Sequence, residues 1–186
     1  MPLALRNEER RVIEAALWFA NLRHIKSTRQ VEEMFAGLPQ VPGKFKVIEA
    51  EKVAAYRSNQ RELRDWLKVI AVSAGAKRTR VKEYVREQLG TVNTFLTFED
   101  DRMKSQYVLT GVQACYTFAV ALLLDKTNKL TMRLKQCGAP DCGRFNLDFN
   151  PTGRPRRFCN EAHRRAADAL TAADRIRRYR ERKAML

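Results

Sequence analysis

Hydrophobic residues recur every three or four positions along much of this chain, which is the period of amphipathic α-helices. The first such stretch covers residues 4–26, and its apolar positions are Leu5, Val12, Ile13, Ala16, Leu17 and Ala20. A clearer stripe ends near Gly75 and consists of Val53, Tyr56, Gln60, Leu63, Leu67 and Ile70. Between these two stretches lies a segment rich in helix-breaking residues, namely Gly37, Pro39, Pro42 and Gly43. A further helix is predicted from Arg80 to Leu89, ended by Gly90.

The period changes after residue 90. Residues 92–98 and 105–109 are rich in β-branched and aromatic side chains and flank an acidic, turn-like segment at 99–101, so we expect a β-hairpin. A strongly apolar helix is predicted from Gly111 to Leu124. Its most apolar part, residues 118–124, is far shorter than the roughly 18 apolar residues of a membrane span, which indicates a buried helix. The fold class expected is therefore mainly α with a small β-hairpin.

Charge adds information about partners. The 186 residues carry 36 Lys and Arg against 21 Asp and Glu, a net charge of +15. Such a field attracts polyanions, which means nucleic acid, an anionic membrane surface or an acidic protein. Residues 144–186 are the densest part, with eleven arginines and one lysine against five carboxylates. The N-terminal residues are mixed in charge without an apolar run, so we expect no secretion signal and a reducing, cytoplasmic location.

Three of the four cysteines fall within 23 positions and are followed by a histidine. The spacing is Cys137-x4-Cys142-x16-Cys159-x3-His163, two short-spaced pairs of the kind that bind structural Zn²⁺. In a reducing compartment, clustered cysteines are more often metal ligands than disulfides. The alternatives are unpaired cysteines beside a surface histidine, or Cys115 in place of His163. Cys115 lies on the apolar helix, where a small buried residue is expected.

The residues between the ligands predict a small module. Gly138, Pro140 and Gly143 suit a tight knuckle; residues 144–149 and 154–158 are predicted to pair as a hairpin across the turn at 150–153. Cys159 and His163 are then predicted to share the first turn of a helix that runs to about Lys183. The order of knuckle, hairpin and helix resembles a treble clef. An alanine stripe follows one side of this helix and permits close packing against a partner helix: Ala162, Ala166, Ala169, Ala173 and Ile176.

Arginine dominates the rest of the module surface. Its planar fork suits phosphate and guanine edges, so we expect nucleic-acid contacts from nine residues. They are Arg154, Arg156, Arg157, Arg164, Arg165, Arg175, Arg177, Arg178 and Arg182. Part of this surface is expected to be paired along the helix, because Glu181 lies four positions after Arg177 and Arg178 four after Asp174.

These motifs resemble the C-terminal zinc finger of bacterial CGNR-type proteins. The resemblance is carried by Arg133, Cys137, Asp141, Cys142, Gly143, Phe145, Asp148, Arg157, Phe158 and Cys159. It implies a mostly helical, ABATE-like domain at residues 1–132, a zinc finger at residues 133–186, and a role in transcription regulation. The chain departs from that family at the fourth ligand, where His163, Arg164, Arg165 and Ala166 replace the cysteine, glycine, asparagine and arginine of the family's name.

The function predicted is that of a zinc-dependent DNA-binding regulator. RNA binding and a protein-interaction module that docks through the alanine stripe are the alternatives. An enzyme is not expected, because all four ligand positions are protein side chains and no nucleotide-binding loop or nucleophile motif is present. The N-terminal domain can serve dimerisation or hold a small ligand, and its Trp18, Trp66 and Tyr116 are expected in the core. His24 is expected to be a solvated surface residue.

Overall fold

The chain is mainly helical with two small antiparallel sheets. The computed structural model describes residues 7–36, 53–72, 76–89, 93–99, 102–109, 111–127, 129–140, 142–150 and 154–184. The helices are α1 (Asn7–Asn21), α2 (Thr28–Ala36), α3 (Val53–Val72), α4 (Ala76–Leu89), α5 (Gly111–Leu124) and α6 (Glu161–Ala184). The strands are β1 (Asn93–Glu99), β2 (Arg102–Val108), β3 (Leu134–Gln136) and β4 (Phe145–Leu147). No helix in these ranges is long and apolar enough to cross a membrane.

Helix α5 lies at the centre of the core, as its continuous apolar sequence predicted. Nine of its fourteen residues are buried, and α1 and α4 pack along it. Tyr116 is fully buried, and its ring lies 6.5 Å from the ring of Phe19 on α1. Trp18 and Trp66 are partly buried against this core. Cys115 is fully buried, which confirms its prediction as a small core residue.

The stripe predicted on α3 is confirmed, and it includes the polar residue Gln60, which hydrogen-bonds to the end of α1. Tyr56, Gln60, Leu63, Leu67 and Ile70 are all buried. The Gln60 side-chain amide donates to the carbonyl oxygens of Phe19 and Leu22, at 2.7 and 2.9 Å. These carbonyls belong to the last turn of α1 and the residue after it, where backbone acceptors lack helical partners.

The first helix is shorter than predicted because α3 caps its end. Helix α1 stops at Asn21, whereas the sequence prediction continued to residue 26. Arg64 on α3 donates from Nε and Nη2 to the carbonyl oxygens of Ala20 and Leu22. These tertiary hydrogen bonds replace those that a longer helix would make, and the chain leaves the helix with His24 exposed. Leu5, predicted on this helix, lies outside the described residues.

Helix α2 was missed by the periodicity argument. Its Val31 and Phe35 are fully buried, and the hydroxyl of Ser27 accepts a hydrogen bond from the backbone N–H of Gln30 at 3.3 Å. A serine followed three positions later by glutamine is a known start signal for a helix, so the information was present in the sequence. Helix α4 also begins earlier than predicted, at Ala76. The breaker-rich segment at 37–43 lies outside the described residues.

The predicted hairpin is present as β1 and β2. The strands pair antiparallel with Asn93 opposite Val108 and Glu99 opposite Arg102. The second strand therefore begins at Arg102, three residues before the start that the sequence predicted.

The second sheet joins the region around the cysteines to the helical core. Strands β3 and β4 pair antiparallel, with Leu134 opposite Leu147 and Gln136 opposite Phe145. Leu134 and Phe145 are buried within the same cluster as the helices. The Asn21 side chain at the end of α1 both donates to the Phe145 carbonyl and accepts from the Phe145 N–H, each at 2.8 Å. Asn21 therefore makes the same pair of backbone hydrogen bonds with Phe145 that a neighbouring strand would make.

Candidate metal centre and its arginine-rich surface

The first two candidate ligands lie in the turn between β3 and β4. The Cys137 N–H donates to the Arg144 carbonyl at 2.7 Å, which closes the turn, and the Cys142 N–H donates to the Ala139 carbonyl at 3.4 Å. Gly143 has φ of +60°, a left-handed conformation that glycine adopts without strain. A hydrogen-bonded turn that carries two candidate ligands therefore lies between two strands that are anchored in the core.

The hairpin predicted across residues 150–153 is wrong in its second strand. Strand β4 pairs with β3, and residues 154–158 form no strand. They instead cover the knuckle, because the Gly138 N–H donates to the Arg157 carbonyl at 3.1 Å. A Cβ on Gly138 would lie 3.0 Å from Arg157 Nε and 3.3 Å from Phe158 Cε1, so a larger residue here would require these side chains to shift by a few tenths of an ångström. Pro155 also lacks the N–H that a ladder would use.

The second pair of candidate ligands lies where α6 begins. The helix starts at Glu161, so Cys159 precedes it and only His163 is helical, which corrects the prediction that both share the first turn. Asn160 is the N-cap, since its Oδ1 accepts a hydrogen bond from the His163 N–H at 2.8 Å. This one hydrogen bond therefore caps the helix and also positions the backbone of His163, a candidate ligand.

These four residues converge to form a site that can hold a metal ion. One ligand atom from each of Cys137, Cys142, Cys159 and His163 lies within 4.8 Å of every other. In a tetrahedral zinc site with bonds of about 2.3 Å to sulfur and 2.0–2.1 Å to nitrogen, two sulfurs are about 3.8 Å apart and a sulfur and a nitrogen about 3.5 Å. The Cys142–Cys159 Sγ distance is 3.7 Å, and Cys137 Sγ lies 3.6 Å from His163 Nδ1.

One edge is shorter than this ideal. Cys159 Sγ lies 3.0 Å from His163 Nδ1, so the imidazole would move by about 0.5 Å to reach tetrahedral geometry. Nδ1 is the imidazole nitrogen that lies close to the sulfurs of Cys137 and Cys159, so it is the candidate ligand atom of His163. Cys137 is buried and the other three are half-buried, so the site is shielded on one side and accessible on the other.

The electrostatics of the cluster favour a cation. Burial opposes ionisation of Cys137, but hydrogen bonds from the backbone N–H groups of Ala139 and Cys159 and from His163 outweigh it and lower the pKa of this thiol to about 6. Burial, followed by the neighbouring Cys142 and Cys137 sulfurs, raises the pKa of Cys159 to about 12. Crowded sulfurs cannot all ionise unless a positive charge lies among them, and a bound cation reverses that penalty.

Three of the predicted nucleic-acid contacts lie between the sheet and α6. Arg154, Arg156 and Arg157 are exposed. The Arg157 guanidinium carbon lies 5.5 Å from the centroid of the Phe158 ring, so this side chain is partly ordered by its neighbour.

The remaining six lie along α6 and are Arg164, Arg165, Arg175, Arg177, Arg178 and Arg182. All side chains from Asp168 to Glu181 are exposed. Glu161 lies 2.6 Å from Arg164 and 3.4 Å from Arg165, and Arg177 lies 3.0 Å from Asp174 and 3.8 Å from Glu181. The predicted pairing of Arg177 with Glu181 is therefore present. Exposed ion pairs of this kind contribute little to stability and leave the guanidinium groups available to a partner.

The alanine stripe predicted on α6 is exposed to solvent. Its members from Ala162 to Ile176 all have accessible side chains, and Leu170 beside them is 56% exposed. It therefore packs against none of the described residues to any large extent.

Comparison with known proteins identifies no relative. No protein-family model matches the chain, and neither a curated protein nor a solved structure shows significant similarity to it. The function must therefore be argued from the site.

Two residues of the site were missed by sequence reasoning. Asn160 carried a signal, because asparagine directly before a charged, alanine-rich run is a common N-cap. Asn21 carried none, since its partner Phe145 is 124 positions away and only the tertiary structure brings them together.

Proposed function

We propose that this protein binds nucleic acid through a zinc-dependent module, and that it acts as a DNA-binding transcription regulator and not as an enzyme. The proposal treats residues 133–186 as a treble-clef-like finger similar to the CGNR type, whose sheet packs on the helical domain of residues 1–132. Three thiolates with one imidazole are a common ligand set for structural zinc, which supports zinc over harder cations.

The observation that carries the proposal is the position of α6 relative to the metal site. The helix is 24 residues long, and it is fixed at its start by the ligand His163 and the adjacent Cys159. From Asp168 to Glu181 it is solvent-exposed. A bound metal would therefore orient a long arginine-bearing helix at one end and leave its length accessible.

Four of the seven arginine positions on α6 share one side of that helix. Arg164, Arg175, Arg178 and Arg182 are separated by 11, 3 and 4 positions, which places them on one face at 3.6 residues per turn. They span about 27 Å at 1.5 Å per residue. The exposed apolar residues Leu170 and Ile176 lie on the opposite side. Arginine positions aligned in this way are suited to a line of phosphates, and four phosphate contacts with duplex DNA predict a slope near −3.6 in log K against log salt.

The test uses the zinc-loaded full chain and a paired control. Arg175→Glu with Arg178→Glu reverses two charges on α6, and Arg29→Glu with Arg57→Glu reverses two exposed charges on α2 and α3. We expect the α6 variant to lose at least tenfold in affinity for DNA in a fluorescence anisotropy titration and the control to change by less than threefold. Unchanged affinity of the α6 variant for every DNA and RNA tested, with circular dichroism intact, would refute the proposal.

RNA binding is the second candidate, and Tyr179 favours it. Its ring is 63% exposed and lies between Arg178 and Arg180, a position from which it can stack on an unpaired base. Competition between duplex DNA and a structured RNA of equal length distinguishes the two candidates, and Tyr179→Ala should weaken only the binding of unpaired nucleotides.

A further inference from the structure

A groove lies away from the metal ligands, where α1 meets the end of β4. It has a volume of about 400 Å³ and is lined by Arg10, Leu147, Asp148, Phe149, Asn150 and Arg156. Small-molecule sites in proteins typically have volumes of about 300–1,000 Å³ and combine apolar walls with a few placed polar groups. We call this the α1–β4 groove.

Arg10 is oriented at this groove by two contacts. Its guanidinium carbon lies 4.7 Å from the centroid of the Phe149 ring, and its Nε atom donates to Glu14 at 2.9 Å. The Nε atom of Arg10 donates to Glu14, so a ligand in the groove would meet the terminal nitrogens at the edge of the guanidinium plane. A guanidinium stacked on an aromatic ring presents a flat surface with donors at its edge and loses little entropy when a ligand binds.

The carboxylate in the groove is already compensated. Asp148 Oδ2 lies 3.4 Å from Arg133 Nη2, and the two side chains are only 19% and 12% exposed. Asp148 Oδ1 accepts the backbone N–H of Asn150 at 3.0 Å. With Asp148 paired to Arg133 and Arg10 paired to Glu14, the exposed Arg156 supplies the remaining positive charge of the groove.

We propose that the α1–β4 groove binds a nucleoside phosphate, with the base against the stacked Arg10 and Phe149 and the phosphate on Arg156. Bases stack on both aromatic rings and guanidinium planes, and arginine binds phosphate in two-pronged fashion. The nucleotide belongs either to a bound nucleic acid, in which case it is unpaired, or to the free pool. In so far as it belongs to a nucleic acid, the inference rests on the function proposed above.

The experiment has two arms, both with the zinc-loaded full chain. In the first, AMP, adenosine and inorganic phosphate are titrated separately and followed by the amide NMR signals of Phe149 and Asn150. In the second, a single-stranded oligonucleotide is compared with the same strand carrying abasic positions, by anisotropy. Binding of AMP supports a site that takes free nucleotide, whereas a loss of affinity at abasic positions without AMP binding supports a site that takes a nucleotide within a strand.

The variants are Arg10→Ala, Arg156→Ala and Arg10→Lys. Each alanine variant should weaken binding at least tenfold, and Arg10→Lys should behave like Arg10→Ala because lysine has no plane on which to stack. The control for Arg10 is Arg29→Ala, which removes an exposed arginine whose Nε contacts a glutamate four positions later, as Arg10 does. Arg57→Ala is the control for Arg156, and both controls should bind as the wild type does.

The outcomes separate this inference from the proposed function. If nucleic acid binds but the Arg10 and Arg156 variants equal their controls in both arms, the groove inference fails and the function stands. If AMP binds through the groove and no polymer binds, the groove stands and the function fails. Equal affinities for inorganic phosphate and AMP, with no effect of abasic positions, would show an anion site without base recognition and would overturn the inference.

Discussion

The two hydrogen bonds between Asn21 and Phe145 make a quantitative prediction. In Asn21→Ala, the bonds at 2.8 Å disappear and the N–H and C=O of Phe145, a residue only 3% exposed, lose their partner. A lost backbone partner costs about 1–3 kcal/mol per group where water cannot replace it, and less where the site is only partly buried. Since the contacts are part-buried, we expect a loss of about 2–4 kcal/mol in the free energy of unfolding.

The assay is urea unfolding of the zinc-loaded protein, followed by circular dichroism and by tryptophan fluorescence. The expected loss corresponds to a fall in Tm of roughly 4–16 °C for a chain of this size. Asn59→Ala, in the middle of α3, is the matched control and should stay within about 0.5 kcal/mol of the wild type. A change below 0.5 kcal/mol in Asn21→Ala would show that solvent replaces both bonds, and the account of how β4 is held would be wrong.

Three further predictions concern the metal module and the core. Asn160→Ala removes the cap on the His163 N–H and should cost about 1 kcal/mol in thermal unfolding, without loss of the bound metal. Gly138→Ala places a Cβ 3.3 Å from the Phe158 ring and should cost about 1–2 kcal/mol and weaken cobalt binding measured by absorption. Burial raises the pKa of Cys115 to about 12, so the unfolded chain ionises first. Its contribution to stability is present below pH 9 and is lost as pH rises toward 12; Cys115→Val should reduce this alkaline loss.

Local signals in the sequence were sufficient for α3, for α5 and for the convergence of the four candidate ligands. The α3 stripe from Tyr56 to Ile70 follows from periodicity because α3 buries one face, and the burial of α5 follows from its continuous apolar sequence. The convergence of Cys137 and His163 follows from ligand spacing. These features depend on residues that are close in sequence or on chemistry that admits few alternatives.

Tertiary contacts decided the features that were predicted wrongly. Residues 154–158 were predicted to return as the second strand, but β4 pairs with β3 and the Gly138 N–H donates to the Arg157 carbonyl instead. The end of α1 depends on Arg64, whose position along the chain gives no indication of its target. A strand partner or a capping side chain that is distant in sequence leaves no local pattern to find.

The anchoring of β3 and β4 changes the role to be expected of the metal. Had Leu134 and Phe145 been exposed, the module would depend on zinc for its fold; both are instead buried in the helical core. The other two ligands, Cys159 and His163, belong to a segment whose helix is exposed along most of its length. A bound ion would therefore join Cys137 and Cys142, which are held by the core-anchored sheet, to Cys159 and His163, which are held less firmly. Chelation should then release α6, and with it the proposed binding of nucleic acid, while α1 to α5 still unfold as one cooperative unit.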